Sequence, residues 1–162
     1  MTVLGVDPGY GRLGYGVVRK EGSRLVCLAC GVVETQPGDV GVRLAQIYDR
    51  IDEVMAKHLP DALATERLFF TKNQTTGMDV AKAAGCVLLA AARRGLASHE
   101  YAPTEVKLSV VGNGAAEKKQ VQFMVAKLLG LASAPKPDDA ADALAVALTH
   151  ALRAGAATAP RR

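Results

Sequence analysis

The first 35 residues constrain the fold more than any other stretch. Val3 to Val6, Tyr15 to Arg19 and Leu25 to Val33 read as three strands, punctuated by glycine-bearing turns at Gly9 to Gly14 and at Glu21-Gly22-Ser23. Connections as short as the second leave no room for a crossover, so neighbouring strands must pair antiparallel. From Asp39 the hydrophobic period changes: Leu44, Ile47, Tyr48, Ile51, Val54 and Met55 recur at helical spacing until Pro60 stops the helix. Ala62 to Leu68 is short enough to be a fourth strand, and a second helix spans about Gly77 to Arg94. Ser98 to Tyr101 makes a fifth strand. Helices follow at Thr104 to Val111, at Glu117 to Leu129 beyond the flexible Gly112-Asn113-Gly114, and after Pro137 to about Arg153. The order βββαβαβαα plus a final helix predicts an α/β fold, a mixed sheet of three antiparallel and two parallel strands flanked by helices.

The 162 residues suffice for one domain, expected over residues 1–154, with 155–162 as a flexible tail. With 49% apolar residues and a near-average charged fraction, the chain reads as globular. No charge-free apolar run reaches the length of a membrane span, and the N-terminus lacks the features of a secretory signal, so a cytoplasmic protein is expected. Cys27 and Cys30 form a C-x-x-C pair, but no second pair or suitably spaced histidine completes a zinc site. Lying in a strand-like apolar stretch, they read as reduced core residues. The net charge of +4 favours polyanions without specifying one.

Four acidic residues carry the chemistry. Asp7 ends the first strand just before Pro8-Gly9, and on its own would pass for a turn residue. Glu66 falls within an otherwise apolar strand, where burying an unpaired carboxylate is costly. Arg67, its neighbour, points to the opposite face. At the start of the last helix stand Asp138, Asp139 and Asp142. Helix capping accounts for Asp138, but not for Asp142, which shares a face with Asp139 beside the apolar stripe Ala141, Leu144, Leu148 and Leu152. Two like charges at about 4 Å repel by roughly 4 kcal/mol at an effective dielectric near 20, so a group of four needs cations. Hard oxygen ligands select Mg²⁺ or Mn²⁺, and a pair of such ions suits phosphodiester hydrolysis. His150, two turns beyond Asp142, is assigned no role.

Four segments, Gly5-Val6-Asp7-Pro8-Gly9, Thr65-Glu66-Arg67-Leu68-Phe69, Val110 to Lys118 and Asp139 to Ala145, in this order and at these intervals, resemble the RuvC family of bacterial Holliday junction resolvases. The resemblance covers nearly the whole chain apart from about the last ten residues. It implies an RNase H-like fold and a homodimer that makes paired nicks in a four-way DNA junction in recombination and repair, leaving 5′-phosphate ends, together with the RuvA–RuvB branch-migration complex. It also implies metal-ligand roles for Asp7, Glu66, Asp139 and Asp142 around two metal ions during cleavage, phosphate contacts by Lys107 and Lys118, and base stacking by Phe69, with Phe70 beside it. Position and family pattern agree in choosing Asp139 over Asp138 as the ligand, leaving Asp138 as a helix cap.

Other readings remain open at the level of sequence. Metal and carboxylates do not specify the sugar, so an RNase H-like nuclease acting on RNA or RNA–DNA hybrids is the alternative. An ATP-binding protein of the actin and sugar-kinase type also begins with strand-Asp-x-Gly, but needs a second domain and a second phosphate loop. A non-catalytic junction-binding module would not need all four carboxylates. For the homodimer, Gly77, Ala81 and Gly85 make a smooth helix face suited to close approach, unless that face packs on its own sheet.

Overall fold

The computed structural model describes the backbone of residues 1–68 and 74–157, and side chains at 1–68 and 77–154. Five strands, β1 (Thr2–Asp7), β2 (Arg12–Glu21), β3 (Arg24–Glu34), β4 (Ala62–Glu66) and β5 (Ala97–Tyr101), form one sheet in the order β3-β2-β1-β4-β5. The β1–β2 and β2–β3 pairs are antiparallel, whereas β1–β4 and β4–β5 are parallel, as the element order predicts. Five helices complete the fold: α1 (Val40–His58), α2 (Gln74–Arg93), α3 (Pro103–Val111), α4 (Lys118–Leu128) and α5 (Asp138–Ala157). Two boundaries shift with consequences. β4 ends at Glu66 rather than Leu68, and α5 runs to Ala157, past the expected start of the tail.

Alternation along the central strands sends side chains into two separate cores. Val3, Val18 and Ala64 pack under α3, α4 and α5, while Leu4, Val6, Val17 and Leu63 pack under α1 and α2. β1 is therefore buried from Thr2 to Val6, as expected of a strand covered on both faces. On α1, Ile47, Ile51, Val54 and Met55 fill the second core, and Leu59 ends the helix in the left-handed conformation just before Pro60. Cys27 and Cys30 stand half-buried on β3 as free thiols against the first core.

α5 lies directly on β1 and β2, and the reason is the absence of side chains beneath it. A methyl group at Gly5 would overlap the Ala143 carbonyl, and one at Gly14 would overlap the Asp139 carbonyl. Such close approach lowers the helix onto the sheet and delivers its first turns to the ends of β1 and β4. His150 holds the far part of α5 to the sheet: its Nδ1 lies 2.7 Å from the Tyr101 hydroxyl, and its ring stacks on His99 at 4.3 Å. Burial and the neighbouring His99 hold the His150 imidazole below its usual range. Its position is that of a structural tie, apart from the acidic residues.

Candidate active site

Asp7 and Glu66 are the last residues of two adjacent parallel strands, and the preceding pair, Val6 and Thr65, stands in register. Counting back by twos, Asp7 follows Gly5 and Val3 while Glu66 follows Ala64, so both carboxylates project on the α5 face. The early end of β4 matters here, because it places Glu66 at the mouth of the sheet instead of inside it. From above, α5 contributes Asp139 and Asp142.

The charges of these residues act on one another. Asp7 is pushed up from 3.8 to about 7, first by burial, then by the negative charges of Asp142, Glu66 and Asp139, against a smaller lowering by Lys118. Glu66 is raised by burial and by Asp142, offset in part by Lys107 and Lys118. Asp142 is raised by burial, although its Oδ2 accepts a 2.8 Å bond from the Lys118 ammonium. Lys118 itself is raised by that pairing.

Lys118 is the first residue of α4, so this helix points its N-terminal cation at the carboxylates. Lys107, from α3, shares a cleft with Glu66, Lys118 and Asp142 over an apolar floor that includes Val106 and Val121. Both lysines singled out in the sequence thus stand beside the acidic residues. Phe69 lies outside the described residues.

Two features were not legible beforehand. Arg12, at the start of β2, reaches both Glu34 at 3.3 Å and Asp139 at 3.4 Å, a cation on the side of the site opposite the lysines. Its only sequence signal was an arginine five residues after Asp7. Asp138 also behaves differently from expectation. It is the first residue of α5, one position too late to cap it, and its exposed carboxylate lies 3.5 Å from Lys118 instead of accepting a helix N–H. With 56% of its side chain exposed against 26% for Asp142, Asp138 points out of the site. Among the described residues no three acidic, histidine or cysteine side chains close on a single point. Asp139 leans toward Arg12 and Asp142 toward Lys118, which keeps the cluster open.

Comparison with known proteins places this arrangement. The family model described as crossover junction endodeoxyribonuclease RuvC matches residues 3–150. A relative of that name from Alkaliphilus metalliredigens is 50% identical over 93% of this chain and 93% of its own. Another from Syntrophomonas wolfei is 47% identical over 93% of this chain and 88% of its own. Among solved structures, Thermus thermophilus RuvC in complex with a Holliday junction substrate superposes with a TM-score of 0.92 at 41% identity, covering 98% of this chain and 97% of that one. Taken with the sheet order and the paired strand ends, these likenesses leave one conclusion: the chain belongs to the RuvC family of crossover junction endodeoxyribonucleases.

Proposed function

We propose that this protein resolves four-way DNA junctions by metal-dependent hydrolysis of one phosphodiester in each of two strands. The observation that carries the reading is the meeting of Asp7 and Glu66, from the ends of β1 and β4, with the first turns of α5, beside a cleft lined by Lys107 and Lys118. The donor set fits a hard divalent cation. Carboxylate oxygens are the preferred ligands of Mg²⁺ and Mn²⁺, and the elevated Asp7 carboxyl marks a cluster short of positive charge. Asp7, Glu66, Asp139 and Asp142 would hold the ions, two during cleavage. When bound, such ions activate the attacking water and stabilise the leaving oxygen.

The chain's own residues supply positioning. Asp7 and Glu66 are fixed by the sheet, whereas Asp139 and Asp142 ride on α5, whose seat is set by Gly5 and Gly14. Lys107 and Lys118 flank the carboxylates and would hold the phosphates next to the scissile one, which brings a polyanion up to an acidic site. In-line attack with departure of the 3′ oxygen leaves a 5′-phosphate end.

A junction needs two related cuts, and a two-fold dimer provides two sites. α2 supports this assembly: Ala83, Val87, Ala90 and Ala91 face the core, while among the described residues a methyl at Gly77 or Gly85 would meet nothing within 4 Å. Among the described residues that smooth face is thus clear of the sheet, and Met78 and Leu89 are exposed on the same helix. Work with a RuvA–RuvB-type branch-migration complex in the cytoplasm belongs to the same reading; no helix among the described residues is long and apolar enough to cross a membrane.

The test is a labelled four-way junction, incubated with and without Mg²⁺ or Mn²⁺, using the wild type, Asp7→Asn and Glu66→Gln. Paired nicks with 5′-phosphate ends are expected only from the wild type with metal, while both variants still bind. Preferential cutting of an RNA–DNA hybrid, or normal nicking by either variant, would overturn the reading.

A further inference from the structure

α4 buries Val121, Val125 and Ala126 and turns Lys119, Phe123 and Lys127, spaced i, i+4 and i+8, to solvent. The helix contains three lysines and no acidic residue. Among the described residues, neither Lys119 nor Lys127 has an ion-pair partner. Lys127, in the last turn, complements the helix dipole. Lys119 sits in the first turn, where a cation opposes the dipole, and unlike Lys118 it has no carboxylate to offset that cost.

Phe123 is 60% exposed, and the Lys127 ammonium lies 5.4 Å from its ring centroid. The ring therefore steers Lys127 back along the helix toward Lys119. Beyond Lys127, the end of α4 forms one wall of a groove whose other wall is the β2–β3 hairpin carrying Arg24. Arg24 is likewise without an ion-pair partner among the described residues. At its other end the helix begins with Lys118 in the catalytic cleft. A line of cations thus starts at the carboxylates with Lys118, paired to Asp142, and leads away from them through Lys119, Lys127 and Arg24.

We propose that this outer face of α4 is a track for the phosphodiester backbone of one junction arm as it leaves the cleft. Lys119, Lys127 and Arg24 face successive stretches of phosphate, and Phe123 positions Lys127. The spacing suits a duplex: eight helical residues span about 12 Å, or three to four steps of a strand rising about 3.4 Å each. A second copy of this face is disfavoured, since a two-fold contact through it would set lysines against lysines. The proposal rests on the junction-binding reading above.

The experiment measures binding of a fluorescent four-way junction by anisotropy, in EDTA to prevent cleavage, across a salt series. Lys119→Gln with Lys127→Gln should lower the slope of log K against log salt by about 1.8, or about 0.9 per phosphate contact. Extrapolated from 1 M, that is a loss of about sixtyfold at 0.1 M salt. Arg24→Gln should lower the slope by about 0.9 more, and Lys119→Arg with Lys127→Arg should preserve it. Phe123→Leu should weaken binding in the wild type but not in the Lys127→Gln background, because the ring acts through that lysine. Equal weakening in both backgrounds would overturn the positioning role. An unchanged slope in the double variant, with melting unaltered, would overturn the track and leave the face to solvent or to a protein partner. Failure of the wild type itself to bind the junction would instead overturn the reading beneath it.

Discussion

Asp7 ties stability to pH in a way that a metal-binding carboxylate cluster should and an ordinary turn aspartate should not. Its pKa rises from 3.8 to about 7 on folding, chiefly through burial. A carboxyl raised in the folded state favours folding fully below pH 3.8, and that contribution is lost as pH rises through about 7. At about 1.4 kcal/mol per pH unit, the resulting penalty in metal-free protein is about 2 kcal/mol at pH 5 and about 4 kcal/mol at pH 8. Asp7→Asn keeps the shape and removes the charge, and it also relieves Asp142 and Glu66. The variant should therefore melt above the wild type in EDTA, with a gap that widens by about 5 to 10 °C between pH 5 and pH 8. Circular dichroism melts of both proteins at the two pH values provide the measurement, with the wild type serving to cancel every other titrating group. Added Mn²⁺ should close the gap at pH 8 by stabilising only the chain that retains the carboxylate. A gap of the same size at both pH values, or a variant no more stable than the wild type, would refute the account of Asp7 as a desolvated, mutually repelling carboxylate.

Asp139→Asn should abolish metal-dependent nicking, whereas Asp138→Asn should stay within about twofold of the wild type, since Asp138 points outward to Lys118. The reverse result in a junction-nicking assay would move the ligand by one residue. Lys107→Ala should lower the salt slope of junction binding by about 0.9, read by anisotropy as for the α4 variants. Gly14→Ala should cost about 3 kcal/mol in urea unfolding and weaken Mn²⁺ binding, because its methyl group lifts the first turn of α5 off the sheet. Light scattering should report a dimer for the wild type and a monomer for Leu89→Arg, which places a charge on the exposed side of α2.

What the sequence determined by itself was whatever local periodicity and short connections dictate. The Glu21-Gly22-Ser23 turn forced β2 and β3 antiparallel, the switch of period at Asp39 announced α1, and the order of elements set the mixed sheet. Asp7, Glu66 and Asp142 were legible as candidates because each is an acid in an apolar segment, which local structure alone does not explain. Tertiary structure decided how far these acids perturb one another. Asp7 reaches about 7 because β1 and β4 end side by side and α5 drops onto glycines more than 100 residues before it in the chain. It also decided Asp138, which stands as the first residue of α5 and pairs with Lys118, 20 residues earlier, where the sequence suggested a cap. Arg12 and the outer face of α4 belong to the same class. A single arginine or a lysine at i, i+8 looks like a solvated surface until the fold shows which carboxylates it touches and where its helix begins. Periodicity reports which face of an element is buried, but only the packing of distant elements sets the charge environment of a side chain, because Coulomb and desolvation energies depend on distances in space rather than along the chain.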